Sequence, residues 1–227
     1  MAKVFQFMSS ASLEMLTGRT ASNVAELEEM IATCSESSVF YHTFSALLKM
    51  REAQAPYNSD FSAWVAENLH APALAEKLTA VDFSEYRTVE GLRDRLMKII
   101  RTYREEQIEG SERSSYEPFY LHDVQRFVYL TDKFAYDLAS FRELLPTISI
   151  YSVYFHFIES RLSANLDCND FSEWIEEALG LHDLASKIRK IDISIYTIEG
   201  LRERIIDIVD DYLGKAPAED ARSGGKS

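Results

Sequence analysis

Cysteine is scarce in this chain of 227 residues, with only Cys34 and Cys168 present. A disulfide framework and a cysteine-based zinc site are therefore not expected, and both thiols are expected to be free and buried. Glycine and proline are also few, at 8 and 5, which argues against a loop-rich fold. No stretch approaches the roughly 20 consecutive apolar residues of a membrane span. The opening Met1-Ala2-Lys3-Val4 has no long apolar region of the secretory type, so a cytoplasmic location is expected. Basic side chains are outnumbered, 24 against 37, for a net charge of −13. Such a surface repels phosphate backbones and anionic bilayers, so neither nucleic acid nor membrane is an expected partner. There is no Gly-rich phosphate loop, His-Glu-x-x-His, Gly-x-Ser-x-Gly or EF-hand loop, and no nucleophile stands beside an evident base.

What the chain does contain is written twice. Ser38-Val39-Phe40-Tyr41-His42 is answered by Ser152-Val153-Tyr154-Phe155-His156. Asp60-Phe61-Ser62-Ala63-Trp64 is answered by Asp170-Phe171-Ser172-Glu173-Trp174, and Thr88-Val89-Glu90-Gly91-Leu92-Arg93 by Thr197-Ile198-Glu199-Gly200-Leu201-Arg202. Laying His42 on His156 also places Phe5 on Phe119 and Leu16-Thr17 on Leu130-Thr131. The shift between copies shortens after the histidines, as loop changes between intact elements would require. The expected organisation is a first module over 4–105, an exposed linker over 106–117, a second module over 118–213 and a disordered tail over 214–227.

Apolar spacing is mostly helical. Phe40, Phe44, Leu47 and Leu48 share a helix face, and Leu92, Leu96, Ile99, Ile100 and Tyr103 form a longer stripe matched by Leu201, Ile205, Ile208, Val209 and Tyr212. Asp60 and Asp170 are expected to be N-caps, with Glu173 completing a capping box, and Trp64 and Trp174 are expected to be core anchors. Each module reads as about five helices. The fold expectation is all-α, two tandem homologous modules related by a pseudo-two-fold, with short extended stretches allowed near 4–7 and 118–121 that could pair.

His42 and His156 are the only histidines at equivalent positions. They lie on a second helix stripe with small residues, which lets another helix approach. Brought together at the axis, they would make a candidate ligand, metal or haem site; kept apart, each would be a hydrogen-bonded packing residue. The last helices differ in charge: Lys98 and Arg101 stand where the second copy has Asp207 and Asp210. If those helices meet, opposite charges meet, and otherwise they are two solvated faces.

The string Ser-x-x-aromatic-aromatic-His, then Asn/Ser-Asp-Phe-Ser-x-Trp, then Leu-Ala-x-Lys-Leu/Ile resembles an uncharacterised bacterial and archaeal domain-of-unknown-function family that commonly carries the module in duplicate. The match covers about residues 4 to 213, with Ser59 standing where the pattern has Asn. The resemblance implies a prokaryotic, helical, cytoplasmic protein and brings no activity or catalytic residue. The expected function is a non-enzymatic interaction or regulatory protein with a protein partner and no cofactor. The alternatives are a small-ligand, metal or haem binder at the paired histidines, and an enzyme acting on a small polar substrate.

Overall fold

A computed structural model describes residues 3–107, 113–164 and 168–215. Two long strands pair as an antiparallel ribbon among the helices, so the architecture is mixed and the all-α expectation is corrected. Strand β1 is Phe5–Ala21 and β2 is Phe119–Ala135, each of 17 residues. At about 3.3 Å per residue such a strand reaches roughly 55 Å, enough to run from one half of the molecule to the other. The short stretches expected near 4–7 and 118–121 are only the beginnings of these strands, where Phe5, Phe7, Phe119 and Leu121 are buried. Nor do they pair with each other: Phe5 lies opposite Ala135, and Ala21 opposite Phe119. The register is centred where Ser12 faces Arg126.

In the first half follow α1 (Val24–Thr33), α2 (Glu36–Phe40), α3 (Ala46–Glu52), α4 (Asp60–Glu67), α5 (Pro72–Thr79) and α6 (Val89–Glu106). In the second follow α7 (Leu138–Leu144), α8 (Ile150–Tyr154), α9 (Ser160–Ala164), α10 (Asp170–Glu177), α11 (His182–Arg189) and α12 (Ile198–Lys215). A π-helical turn, Tyr41–Ser45, joins α2 to α3, and another, Phe155–Glu159, joins α8 to α9. Val39 to Phe44 are all buried, a run that one stripe of a regular helix cannot supply. The wider turn and packing on several sides account for it.

Helix starts are set by side-chain oxygens. Asn23 caps α1 and Thr88 caps α6. The caps of α4 and α10 are Ser59 and Asn169, one residue ahead of the expected Asp60 and Asp170. Ser62 closes the box with Ser59, and Ser172 donates its amide to Asn169, so Glu173 has no capping role. The turn after α10 needs a left-handed residue, supplied by Gly180 (φ 69°); in the first half His70 holds that conformation (φ 49°).

Each strand begins in the half that it does not precede. Phe5 and Phe7 of β1 pack against Phe141 of α7 and Phe171 of α10, while Phe119 of β2 packs against Phe61 and Trp64 of α4. The ends of the strands are thus exchanged, and the hydrophobic core is continuous through both halves. The halves also touch through Phe40 and Tyr154 and through the 3-10 turns Phe83–Glu85 and Ile193–Ile195. Part of the expected linker is anchored: Ser115 N–H donates to the Ser22 carbonyl and Tyr116 N–H to that of Asn68. Of the expected tail, Gly214 and Lys215 finish α12, and the rest lies outside the described residues.

Candidate functional site

The repeated histidines lie in the two π-helical turns, and their aspartates stand at the first positions of α4 and α10. His42 Nδ1 is 2.8 Å from Asp60 Oδ2, and His156 Nδ1 is 2.7 Å from Asp170 Oδ2. The other ring nitrogen meets an inserted strand. His122 N–H of β2 donates to His42 Nε2 at 3.0 Å, and Met8 N–H of β1 donates to His156 Nε2 at 2.7 Å. A backbone amide can only donate, so Nε2 is the acceptor and the proton sits on Nδ1, directed at the carboxylate. Burial pushes the His42 pKa below its ordinary value despite the Asp60 hydrogen bond.

The repeated tryptophans complete the grip. Trp64 Nε1–H donates to the Glu117 carbonyl just before β2, and Trp174 Nε1–H to the Lys3 carbonyl just before β1. Thr17 and Thr131 hydroxyls donate to the Leu121 and Phe7 carbonyls across the ribbon. Asp–His–tryptophan is therefore a clamp on the backbone of a strand. An Asp–His pair of this shape could activate a nucleophile, but here the position of the nucleophile is filled by a peptide amide.

His42 and His156 are not brought together. Their strand contacts, His122 and the Leu130 partner Met8, are roughly 26 Å apart along the ribbon at about 3.3 Å per residue. Neither ring has a free nitrogen for a metal or haem iron. Among the described residues, no group of three or more His, Cys, Asp or Glu side chains could hold a metal ion. Cys34 is buried and Cys168 half-buried, both as free thiols.

The charge reversal on the last helices resolves within each half. Arg101 and Arg104 of α6 bond Glu28 of α1, and Asp210 of α12 takes two hydrogen bonds from Arg142 of α7, at 2.6 and 2.8 Å. Glu28 and Arg142 occupy equivalent places, so the ion pair is kept with its signs exchanged. Arg101 and Asp210 do not pair with each other.

At the centre of the ribbon the halves differ in kind. Glu159, buried at 2% exposure, accepts from Ser10 Oγ at 3.1 Å and from Arg126 at 3.4 Å, while the Arg126 guanidinium lies 4.6 Å from the Phe40 ring centre. Burial raises the Glu159 pKa, with Arg126 opposing. The buried Tyr154 hydroxyl lies beside Ser45 and Glu159, and burial raises its pKa. Sequence reasoning passed over this cluster. Its signal was the joint difference between copies, Ser12 and Ser45 against Arg126 and Glu159.

The middle of the ribbon is bare. Leu13, Leu16, Phe127, Tyr129 and Leu130 are 54, 73, 49, 50 and 64% exposed. Leu13, Phe127 and Tyr129 share one face of the ribbon and Leu16 and Leu130 the other; isolated exposed apolar residues are ordinary, but neighbouring ones on one face mark contact surfaces. The strands carry as many acidic residues (Glu14, Asp123, Asp132) as basic ones (Arg19, Arg126, Lys133), so the ribbon is neutral in a chain of net charge −13. Cavities are less telling. A pocket of about 200 Å³ beside Arg51, Asn58, Asp82 and Ser194 is smaller than usual for a small-molecule site. A groove of about 580 Å³ along α6 alternates Glu90, Arg93, Asp94, Lys98, Arg101 and Glu105, which gives no field of one sign for a charged ligand.

A family model described as a family of unknown function (DUF5752) matches residues 2–210. No curated protein matches. Among solved structures, the chain is similar to OrfY from Thermoproteus tenax, with 28% identity, a TM-score of 0.80, and coverage of 92% of this chain and 95% of that one. No helix among the described residues is long and apolar enough to cross a membrane.

Proposed function

The chain belongs to the DUF5752 family of unknown function, and from that premise we propose that it is a non-enzymatic interaction protein whose docking surface is the exposed middle of the ribbon. One observation carries this reading: the apolar side chains of Leu13, Phe127 and Tyr129 stand in solvent on one face of paired strands whose ends are fixed in the core. Fixed ends make the surface rigid before contact, which lowers the ordering cost of binding. The histidine-pair ligand reading has no comparable support, since all four ring nitrogens are engaged. The enzyme reading would need a sizeable pocket with convergent polar groups, and the ribbon offers none.

The test is site-specific photo-crosslinking in cells, with the photoreactive residue placed at Phe127 or Leu13 and, as a control, at Glu203 on α12. The expected result is a discrete adduct from the ribbon positions alone. Equal crosslinking from all three positions, or none from the ribbon, would remove the ribbon as the docking surface.

A further inference from the structure

The ribbon offers more than exposed apolar area; its charge and its relief both restrict what can cover it. This inference rests on the docking reading above and names the occupant: we propose that a second copy of this chain docks there, ribbon face on ribbon face.

Charge is the first argument. Two copies of net charge −13 repel each other over most of their surfaces. The ribbon is the neutral part, so it is where like copies approach at least cost. A basic partner would be drawn to the acidic helices and would find no complementary charge on the ribbon.

Relief is the second. Along one face, Phe127 stands opposite the exposed Ala11 and Leu13 opposite the exposed Gln125, while Tyr129 stands opposite the buried Ser9. Bulky apolar residues thus sit across from small or polar ones. A two-fold axis lying in the contact and running along the strands sets Phe127 of each copy over Ala11 of the other, and Leu13 over Gln125. A second copy laid on this face can therefore set its bulky residues beside the first copy's small ones, as an isologous two-fold contact requires.

Area is the third. Leu13, Phe127 and Tyr129 are each about half exposed on this face, which leaves an apolar patch for a second copy to cover.

Sedimentation equilibrium of the full chain over a range of concentrations tests the proposal. The expected species is twice the 26.0 kDa chain mass. Its association should survive high salt, because the contact is apolar rather than ionic. The double variant Leu13→Ser, Tyr129→Ser is expected to weaken the dimer at least about tenfold while helical circular dichroism is unchanged. If that variant does not fold, Phe127→Gln serves, and the photoreactive residue at 127 in the otherwise unaltered protein gives a self-adduct of the same doubled mass. A monomer at all concentrations, or a dimer indifferent to these substitutions, overturns the proposal. Adducts in cells of some other mass, from a protein that is monomeric when pure, sink the second copy and leave the docking reading standing. No ribbon adduct of any kind sinks both.

Discussion

An imidazole whose Nε2 accepts from a backbone amide has no room for a second proton. His42 is held in that state by His122 N–H on one side and Asp60 on the other. Its pKa lies below the ordinary 6.5 because burial penalises the charged ring. The unfolded chain therefore binds more protons than the folded one near that pH. It follows that the stability due to His42 is full above about 6.5 and is lost as pH falls toward the lower folded value. Truncating the ring removes the acceptor and leaves a cavity. We expect His42→Ala to cost about 3 kcal/mol near neutral pH, from a buried amide without a partner plus lost packing. Urea titrations at neutral pH and about one unit below 6.5 check both statements. The gap between variant and parent should narrow in acid. A gap that widens would show that the ring is charged in the fold.

At the scale of elements, the two ion pairs that hold first to last helices carry opposite signs. Glu28 of α1 faces Arg101 and Arg104 of α6, while Arg142 of α7 faces Asp210 of α12. Exchanging helices between halves would set Glu28 against Asp210 and Arg142 against Arg101. Each half thereby accepts its own helix and repels the other's. The Glu28 pKa is pushed up by partial burial and brought down, on balance, by the bonds from Arg104 and Arg101. Its contribution is present above the ordinary 4.5 and lost as pH falls through the folded value. Glu28→Arg should destabilise by about 1 kcal/mol, and Arg101→Glu added to it should recover part of that loss, as read by a double-mutant cycle in denaturant. Recovery will be partial because Arg104 remains. Independent effects of the two substitutions would mean that the pair is only a solvated contact. Much of this level was legible in the chain. The helix starts at Asn23 and Thr88 and the long stripes of α6 and α12 depend on neighbours a few residues away, and the change of sign at Arg101 and Asp210 shows once the two copies are aligned. The strands were not legible. Ser9-Ser10-Ala11-Ser12 in β1 has no clean alternation, and the burial of Phe5 and Phe7 is decided by Phe141, Phe171 and Trp174, more than 130 residues further on. The aspartates and histidines were singled out separately. Their bond was hidden because 18 and 14 residues separate them and a strand from the other half completes the set.

For the molecule as a whole, exchange of the strand ends means that neither half closes its own core. Removing residues 1–22 should therefore damage the second half more than the first, which loses the Glu14 and Arg19 bonds and the Ala21 contact at the far end of the strand. We expect Trp174 to lose the Lys3 carbonyl and the Phe5 ring and to shift its emission to the red, while Trp64, held by Glu117 and Phe119, keeps its spectrum. Single-tryptophan backgrounds, Trp64→Phe or Trp174→Phe, separate the two signals. A shift confined to Trp64 would contradict the exchanged arrangement. The same exchange also sets an order in time. During synthesis β1 emerges first, yet the groove that receives it, lined by His156, Phe171 and Trp174, is made only after about 150 further residues. At ~5–20 residues per second, an apolar strand waits on the order of ten seconds or more for its place. β2, by contrast, leaves the ribosome with its receiving groove already made. The nascent chain thus spends its vulnerable interval with one specific segment uncovered, and it is there that a holding chaperone would bind.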